Sequence, residues 1–437
     1  MFLDALTHAY FKLSDAALLI MDECHHAQSE KDHAYTKIMR NFYHRLKNNS
    51  PERLPRVLGL TACLMVKAVP AHKFHEEKRI LEDIMDSRVA TTTDLFEILK
   101  YVTAPKEEMC TYLATDQFRE EYNLISSHCN VALDKLSKLR DDEKLRWKNV
   151  ADINLRGTAI TELEKDFKEM KNKTILNILD GITDLGLISL FLNFKGLKAQ
   201  TEKRCSKALR VYYAAEVRKE MDKVMLELLR DIESVMLRIP YMETSNESLR
   251  NFTSPKVLRL MEKLETEIAG GERRTIVFVE KQYHAETLSR MIEKFAIHDR
   301  DLVSLSTDFA FSPGSNLNVK DPQQREIVNN NRQRLKETLA KFKDGRINTL
   351  IATSVIEEGL DVRTCNLVIK FDFPMTFRSY VQSKGRARAK PSKYILMVSQ
   401  TESGKFVKKY NDYRRLEELS LKECHYRVED VEPKVCL

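Results

Sequence analysis

Short apolar runs alternate with long amphipathic segments along this chain. The first two runs, at 18–21 and 56–60, are followed at once by polar side chains, and they predict two buried parallel strands. The pattern returns later, where it predicts strands at 275–280, 302–305, 349–353 and 367–371 and a loop from 307 to 331. Strands that alternate with helices in this way predict an α/β fold with two parallel sheets.

The middle of the chain follows a different pattern. No proline occurs between Pro105 and Pro240, and apolar residues recur there at a spacing of three to four: Val217, Met221, Val224, Leu228, Ile232 and Val235. This period predicts a long amphipathic helix within an all-helical insert, with the Met and Leu stripe in its core. The predicted domains are residues 1–95, the insert 96–245, a second sheet domain 246–415 and a terminal segment 416–437.

Length and charge narrow the class of partner. A chain of 437 residues is long enough for two or three domains, and a formal net charge of +7 favours an anionic partner. Residues 370–437 contain fifteen Lys and Arg against nine Asp and Glu, an excess of six positive charges in the last sixth of the chain. We therefore expect a basic surface there.

The cysteines and the apolar runs bear on location. Eight cysteines are scattered without a C-x-x-C pair, which indicates neither a zinc site nor a disulfide framework. The first residues lack a secretory signal-peptide pattern, and no apolar run is long enough to span a bilayer. We expect reduced thiols, no membrane partner and a cytoplasmic location.

The first predicted strand ends at Asp22, Glu23, Cys24 and His25. Open α/β sheets bind ligands at the carboxyl ends of their strands, where nucleotide-hydrolysing folds hold Mg²⁺. In such a site Asp22 holds the cation, usually through water because Mg²⁺ dehydrates reluctantly, and Glu23 orients the water that attacks the γ-phosphate. His25 then couples this chemistry to the nucleic-acid side. The alternative is that Asp22 and Glu23 only cap the strand and begin a turn.

The loop after the strand at 349–353 is dense in hydroxyls and carboxylates. It contains Ser354, Glu358 and Asp361, and Gly359 permits close backbone approach. The hydroxyls suit contacts with phosphates. This loop is therefore a candidate part of a nucleotide or RNA site.

A basic stretch follows further along the chain. Gln382 precedes Arg386 and Arg388, which lie two residues apart beside Gly385. Planar guanidinium groups suit the stabilisation of charge on a transferring phosphoryl group. The alternative is a basic, solvated turn without a catalytic role.

These segments occur in one order: D-E-C-H, L-T-A, V-F-V-E, A-T-S-V-I-E-E-G-L-D and Q-S-K-G-R-A-R. Together they resemble motifs II to VI of superfamily 2 helicases. The helical insert and the last two motifs look like the RIG-I-like and Dicer group of duplex-RNA-activated ATPases, and most like the helicase region of a Dicer, an arthropod one in particular. The resemblance implies two RecA-like lobes, the first incomplete, an all-helical insert between them, and the start of pincer helices at 416–437.

The resemblance also implies roles for single residues. It implies ATP and Mg²⁺ as cofactors, with Asp22 and Glu23 serving the cation and the water. The catalytic residues that it implies are Asp22, Glu23, His25, Gln382, Arg386 and Arg388. The further nucleotide contacts that it implies are Glu358, Gly359 and Asp361. The residues that it implies for RNA binding or lobe coupling are Thr61, Ala62, Glu280, Thr353 and Ser354.

Two features depart from the family pattern. Cys63 stands where the family commonly has serine, and because a thiol is a weak hydrogen-bond donor, lobe coupling at that position is open to question. No G-x-x-x-x-G-K-[ST] occurs, although this family uses that loop to cradle phosphates. The resemblance therefore implies a piece of a longer protein that lacks the phosphate loop and the ribonuclease domains and is inactive alone.

The implied function is that of an ATP-dependent duplex-RNA helicase or translocase within a Dicer-type endoribonuclease. Such a protein acts in RNA interference, antiviral defence and small-RNA processing. The expected partners are double-stranded RNA and duplex-RNA-binding accessory proteins, and the expected state is a monomer. Two alternatives stay open: a RIG-I-like innate immune receptor, which caspase-recruitment domains would indicate, and a non-catalytic duplex-RNA-binding module.

Overall fold

The structure is a computed structural model that describes residues 1–29, 33–90, 104–114, 118–206, 215–239, 246–269, 273–299, 302–312, 322–357, 362 and 365–423. Its strands are β1 (Leu18–Asp22), β2 (Arg56–Leu60), β3 (Lys106–Tyr112), β4 (Thr275–Phe278), β5 (Thr307–Ala310), β6 (Thr349–Ala352), β7 (Leu367–Lys370) and β8 (Lys393–Ser399). Two compact units are present, the first formed by Met1–Cys110, Glu357–Val398 and Glu402–Leu437 and the second by Thr111–Ile356 and Ser399–Thr401.

The helices of the described chain are numbered in the same way. Those of the first unit are α1 (Phe2–Thr7), α2 (His26–Ser29), α3 (Ala34–Ile38), α4 (His44–Asn49), α5 (Phe74–Met85), α15 (Phe377–Lys384) and α16 (Ser403–Glu423). Those of the second unit are α6 (Arg119–Lys148), α7 (Ile153–Glu169), α8 (Leu176–Leu185), α9 (Ile188–Ser206), α10 (Ala215–Met236), α11 (Asn246–Asn251), α12 (Pro255–Ile268), α13 (Gln282–His298) and α14 (Pro322–Asp344). Within the described residues, no helix is long and apolar enough to cross a membrane.

Strands β1 and β2 form a parallel pair in the first unit, as the sequence predicts. Asp22 is the register partner of Leu60, and the backbone N–H of Cys24 donates to the carbonyl of Leu60 (2.9 Å). The polar residues that follow both strands therefore meet at one edge. One face of the pair packs into a core that contains Leu6, Leu13, Leu19, Met21, Cys24, Ala27, Ile38, Met39, Tyr43, Leu81 and Met85.

The prediction that β1 and β2 are buried strands is wrong for their other face. Side chains alternate across a strand, so every second residue points away from the core described above. Those residues are about half exposed: Leu18 (49%), Ile20 (58%), Leu58 (45%) and Leu60 (49%). The continuous apolar sequence of β1 and β2 predicted that both faces of the pair are buried. In the described structure only one face is buried.

Strands β7 and β8 form a second parallel pair in the first unit. Leu367 lies opposite Lys393, and both strands are almost wholly buried. The backbone N–H of Lys106 in β3 donates to the carbonyl of Ser392 (2.9 Å). The pattern predicts β7 but neither β3 nor β8. Because β3 is largely polar and fully buries only Cys110, no apolar run marks it, and the all-helical prediction for 96–245 is wrong there.

Helices α6 to α10 of the second unit occupy the segment, from Arg119 onward, for which the sequence predicts a helical insert. They surround a core of Ile125, Cys129, Ala132, Leu136, Leu163, Phe167, Met170, Ile175, Ile178, Ile182, Leu187, Leu190, Phe194, Met221, Val224, Met225, Leu228, Leu229, Ile232 and Val235. The long stripe predicted between Val217 and Val235 lies on α10, and its Met and Leu side chains are core residues as expected.

Strands β4 and β5 lie on either side of β6 in the second unit, and all three run parallel. The strand predicted at 302–305 is wrong, because 302–304 form a turn. The loop predicted from 307 to 331 is wrong at its two ends, where β5 begins at Thr307 and α14 begins at Pro322, while 313–321 lie outside the described residues. Asp308 is a polar residue within β5, so this strand has no continuous apolar run by which the sequence could predict it. Its carboxylate is accommodated by Lys341 of α14, whose Nζ lies 3.0 Å from Oδ2.

Candidate functional site

Asp22 and Glu23 close β1 in a sharp turn. Glu23 has φ of 51°, in the left-handed region that few residues with side chains adopt. Its backbone N–H donates to Oδ1 of Asp22 (3.0 Å). Asp22 is exposed and Glu23 is half-buried. The two predicted carboxylates therefore lie at the carboxyl end of the strand, one in solvent and the other facing inward.

His25 connects this turn to the residue after β2. Its ring is fully buried, and Nδ1 lies 2.8 Å from Oγ1 of Thr61 and 3.3 Å from Oε2 of Glu23. The hydroxyl of Thr61 donates its one hydrogen to the carbonyl of Cys63 (2.8 Å). The network therefore assigns the hydrogen to Nδ1 of His25, which donates toward Thr61 with Glu23 as a second, longer acceptor.

Cys63 shapes the loop that carries Thr61. Its backbone N–H donates to Oγ1 of Thr61 (3.1 Å), and its thiol donates to the carbonyl of Met65 (2.7 Å). Burial raises the pKa of Cys63 to about 12, so the thiol stays protonated. Cys63 therefore forms hydrogen bonds within the loop through both its backbone N–H and its thiol. The predicted residue Ala62 is exposed. The carbonyl of Val66 accepts from the backbone N–H of Arg378 in α15 (3.3 Å).

The predicted arginines follow the end of α15. Nη2 of Arg386 donates to the backbone carbonyl of Glu357 (2.9 Å), and the exposed Arg388 donates from Nε to the carbonyl of Gly385 (2.7 Å). Burial lowers the pKa of Arg386, the neighbouring Arg388 lowers it further, and the Glu23 carboxylate acts in the opposite direction. Gln382, also predicted, is buried in α15.

Sequence reasoning missed Glu357 and Lys370. Their side chains are buried and paired, with Lys370 Nζ 2.8 Å from Glu357 Oε1. Ser379 of α15 donates from Oγ to the same carboxylate oxygen (2.9 Å). A lysine at the end of the apolar run Leu-Val-Ile-Lys was the available signal, since a buried lysine requires a partner.

Three predicted residues lie in the second unit. Thr353 is buried, and its backbone N–H donates to the carbonyl of Ala310 (3.1 Å). Ser354 and Glu280 are exposed and follow the adjacent parallel strands β6 and β4. These residues therefore share one edge of the β4, β5 and β6 group. The predicted nucleotide contacts Glu358, Gly359 and Asp361 lie outside the described residues.

The donor set at β1 is compatible with Mg²⁺ bound together with a nucleotide. Among the residues with described positions, no group of three or more His, Cys, Asp or Glu is arranged to hold a metal ion. Mg²⁺ commonly uses only one or two carboxylates, with phosphate oxygens and waters as its other ligands. The exposed carboxylate of Asp22 fits that role.

Comparison with known proteins gives a consistent assignment. Residues 256–390 match the family described as the helicase conserved C-terminal domain. The chain is 30% identical over 437 residues to the endoribonuclease dcr-1 of Caenorhabditis elegans, an alignment that covers 96% of this chain and 21% of that protein. It is 28% identical to Dicer-S of Xenopus laevis, with 97% and 23% covered, and 28% identical to Dicer homolog 2 of Arabidopsis thaliana, with 92% and 27% covered.

A structural comparison also finds the crystal structure of the Pyrococcus furiosus Hef helicase domain. It covers 94% of this chain and 76% of that chain, with 18% sequence identity and a TM-score of 0.42, a likeness too distant to carry an argument. The sequence relatives confirm the predicted recognition of a helicase region similar to Dicers, while the arthropod origin stays a prediction. The chain spans about a fifth to a quarter of the length of the curated relatives described above.

Proposed function

We propose that this chain, as the helicase module of a Dicer-type protein, couples ATP hydrolysis to movement along double-stranded RNA. The observation that carries the proposal is the buried His25 at the end of β1, whose Nδ1 lies 2.8 Å from Oγ1 of Thr61 and 3.3 Å from Oε2 of Glu23, so that predicted residues after two parallel strands form one network. The supporting relatives are Dicers from a nematode, a frog and a plant. The proposed setting is the cytoplasm, where the protein serves small-RNA processing and antiviral RNA interference. The buried free thiols support a reducing compartment.

In this proposal the residues around β1 position water and cation. Asp22 would hold Mg²⁺ bound together with ATP, and the cation would supply neutralisation of the charge on the phosphates. Glu23 orients the attacking water. His25 keeps Glu23 in place because its buried Nδ1 lies 3.3 Å from that carboxylate and is fixed by Thr61. Arg386 then stabilises negative charge that develops on the transferred phosphoryl group.

The RNA side of the proposal rests on charge and on the helicase family match. The chain has a net charge of +7, with an excess of six positive charges in residues 370–437. Duplex RNA offers shape and phosphates rather than readable base edges, so binding without sequence preference is expected. Affinity should fall steeply as salt rises, because binding releases counterions. We propose a monomer that also recruits duplex-RNA-binding accessory proteins.

The decisive experiment measures RNA-stimulated phosphate release by the longest natural form of the protein and by two variants. Glu23→Gln should lower turnover at least about 10²-fold, and Arg386→Ala should lower it about 10³-fold or more. Both should bind blunt duplex RNA as the wild type does. Glu52 and Arg53 are exposed residues next to each other in the sequence, and they provide matched controls. The Glu52→Gln and Arg53→Ala variants should hydrolyse ATP at the wild-type rate.

The same measurements separate the alternatives. Duplex-RNA binding without ATP turnover in the wild type would support a non-catalytic RNA-binding module. Full turnover by the Glu23→Gln variant would refute the assignment of this site. Equal affinity for single-stranded DNA and duplex RNA, without dependence on salt, would refute the proposal that double-stranded RNA is the substrate.

A further inference from the structure

Glu357 and Lys370 form a buried ion pair that joins three segments of the first unit. Lys370 ends β7, and its Nζ lies 2.8 Å from Oε1 of Glu357, with 7% and 6% of the two side chains exposed. Ser379 of α15 donates from Oγ to Glu357 Oε1 (2.9 Å) and accepts from Lys370 Nζ (3.2 Å). The carboxylate is thus held by a strand and by a helix.

Stability alone is a weak reason for such a pair. Removing two charges from water is costly, and apolar residues of similar volume often replace a buried ion pair with no loss of stability. Removal of one partner is different, because it leaves an uncompensated buried charge. A buried pair can instead hold a group in one defined position, and here the group next to the pair is a predicted catalytic residue.

The backbone of Glu357 is the contact to that residue. Its carbonyl accepts from Nη2 of Arg386 (2.9 Å). Its side chain holds Ser379, which lies in the helix that ends just before Arg386. One residue therefore contacts the guanidinium group directly through its main chain and holds the preceding helix through its carboxylate.

We propose that Glu357 is a positioning residue for Arg386. Its ion pair with Lys370 fixes the position of the Glu357 backbone carbonyl, which accepts the hydrogen bond from the guanidinium group of Arg386. The inference rests on the proposed function, in which Arg386 stabilises charge on phosphate. The ion pair with Lys370 fixes the backbone of Glu357, and the Glu357 carbonyl holds the guanidinium group of Arg386 in the resting protein. The hydrogen bond from Ser379 attaches α15 to the carboxylate of the same residue.

Three variants of the longest natural form of the protein test this inference. Glu357→Gln and Lys370→Met each break the pair, and both should lower kcat about 10- to 100-fold, since a misplacement of about 1 Å can cost about 10²-fold. The KM for ATP and the affinity for duplex RNA should change little. The double variant Glu357→Leu with Lys370→Met replaces the pair by apolar side chains, and it should recover the melting temperature but not kcat.

A second measurement does not depend on turnover. The backbone N–H groups of Arg386 and Arg388 donate to the carbonyls of Ser383 (3.1 Å) and Cys365 (2.9 Å), so hydrogen exchange across 385–388 reports the order of this turn. Exchange there should be faster in Glu357→Gln and in the double variant than in the wild type. The matched control is the ion pair of the buried Glu267 and the partly exposed Arg273, the latter before the amino end of β4. Glu267→Gln should leave exchange at 385–388 unchanged.

The outcomes are separable. Wild-type kcat in Glu357→Gln, recovery of both melting temperature and kcat in the double variant, or unchanged exchange at 385–388 would each overturn the positioning role. Absence of RNA-stimulated turnover in the wild type would instead refute the proposed function, and the exchange measurement would still decide whether Glu357 positions the turn that holds Arg386.

Discussion

Nδ1 of His25 lies 2.8 Å from Oγ1 of Thr61, so a fully buried ring at the end of β1 is held by the residue that follows β2. The same nitrogen lies 3.3 Å from Oε2 of Glu23. One imidazole therefore connects the loop after β2 to the carboxylate that we propose orients water. A substitution of Thr61 is therefore expected to alter the position of the Glu23 carboxylate, because the imidazole of His25 contacts both residues.

Thr61→Val should destabilise the protein and disturb this connection. Valine keeps the shape of threonine but removes the hydroxyl that receives the N–H of His25. The buried N–H of His25 then keeps only the longer contact to Glu23 among those described above, and the bond from Thr61 to the carbonyl of Cys63 is lost as well, so the substitution should cost about 1–3 kcal/mol. The free energy of unfolding from urea titration measures this loss.

Thr158 supplies the matched control for that measurement. It is exposed on α7, where its hydroxyl donates to the carbonyl of Asn154 (3.0 Å) in the preceding turn. Thr158→Val removes a hydroxyl that water can replace, so the unfolding free energy should stay within about 0.5 kcal/mol of the wild type. Equal losses in the two variants would contradict a special role for the buried contact.

Local signals account for what the sequence predicted well. Asp22, Glu23 and His25 follow an apolar run directly, and parallel pairing then brings Thr61 to the same edge, so adjacency along the chain was enough. In the second unit, the strands predicted at 275–280 and 349–353 correspond to β4 and β6, whereas 302–304 form a turn and β5 was missed. Asp308 makes β5 look like a loop, because its compensation by Lys341 comes from a distant helix.

The missed contacts share one physical cause. Glu357 looked like one carboxylate among several, and only folding selects it as the partner of Lys370 and Ser379. A buried charge can be recognised from sequence only when its partner is known. Exposure on one face of β1 and β2 was also hidden, since an apolar run does not say how many layers cover a sheet.

Lys384 is predicted to stabilise the attachment of α15 to α16. Its ammonium lies 3.1 Å from Oε1 of Glu107 in β3 and 2.7 Å from Oε2 of Glu417 in α16. Burial and the Glu417 charge raise the pKa of Tyr380, so its protonated hydroxyl donates to Glu107 (2.6 Å). Lys384→Met leaves two carboxylates close together and should cost about 1–3 kcal/mol, below the value for a fully buried pair.

Combining substitutions tests whether this cost is electrostatic. If repulsion between Glu107 and Glu417 is the cause, adding Glu417→Gln to Lys384→Met should recover part of the lost unfolding free energy. The double-mutant cycle should then give a coupling of about 0.5–3 kcal/mol. Strict additivity of the two substitutions would show that packing, rather than charge, explains the effect of Lys384.

Asp86 gives the first unit a defined dependence on acid. Burial opposes its ionisation, but hydrogen bonds from Lys47 and Tyr43 outweigh burial, so the pKa of Asp86 is lowered from 3.8. A carboxylate with a lowered pKa contributes stability above the unfolded value, and the contribution disappears as pH falls through the folded value. The advantage of the wild type over Asp86→Asn should therefore be full at neutral pH and shrink below about pH 4.

Unfolding of both proteins across that range measures the effect. Asparagine is a suitable replacement because Asp86 has φ of 48°, and asparagine tolerates the left-handed region better than most residues. Backbone strain is therefore little changed, and the comparison isolates the charge. A stability difference that does not vary between neutral and acidic pH would show that the carboxylate contributes nothing as an anion.

Two glycines in helices of the second unit should respond in opposite directions to alanine. A Cβ on Gly181 of α8 would lie 2.8 Å from Cε1 of Tyr283 and 3.0 Å from Oγ of Ser189, closer than atoms pack, whereas a Cβ on Gly196 of α9 would meet nothing within 4 Å. Gly196→Ala should stabilise by about 0.5–1 kcal/mol because alanine restricts the unfolded chain and favours helix. Gly181→Ala gains the same term but should lose about 1–3 kcal/mol to overpacking. Melting temperatures that shift in the same direction would contradict the tight packing of α8 against Tyr283.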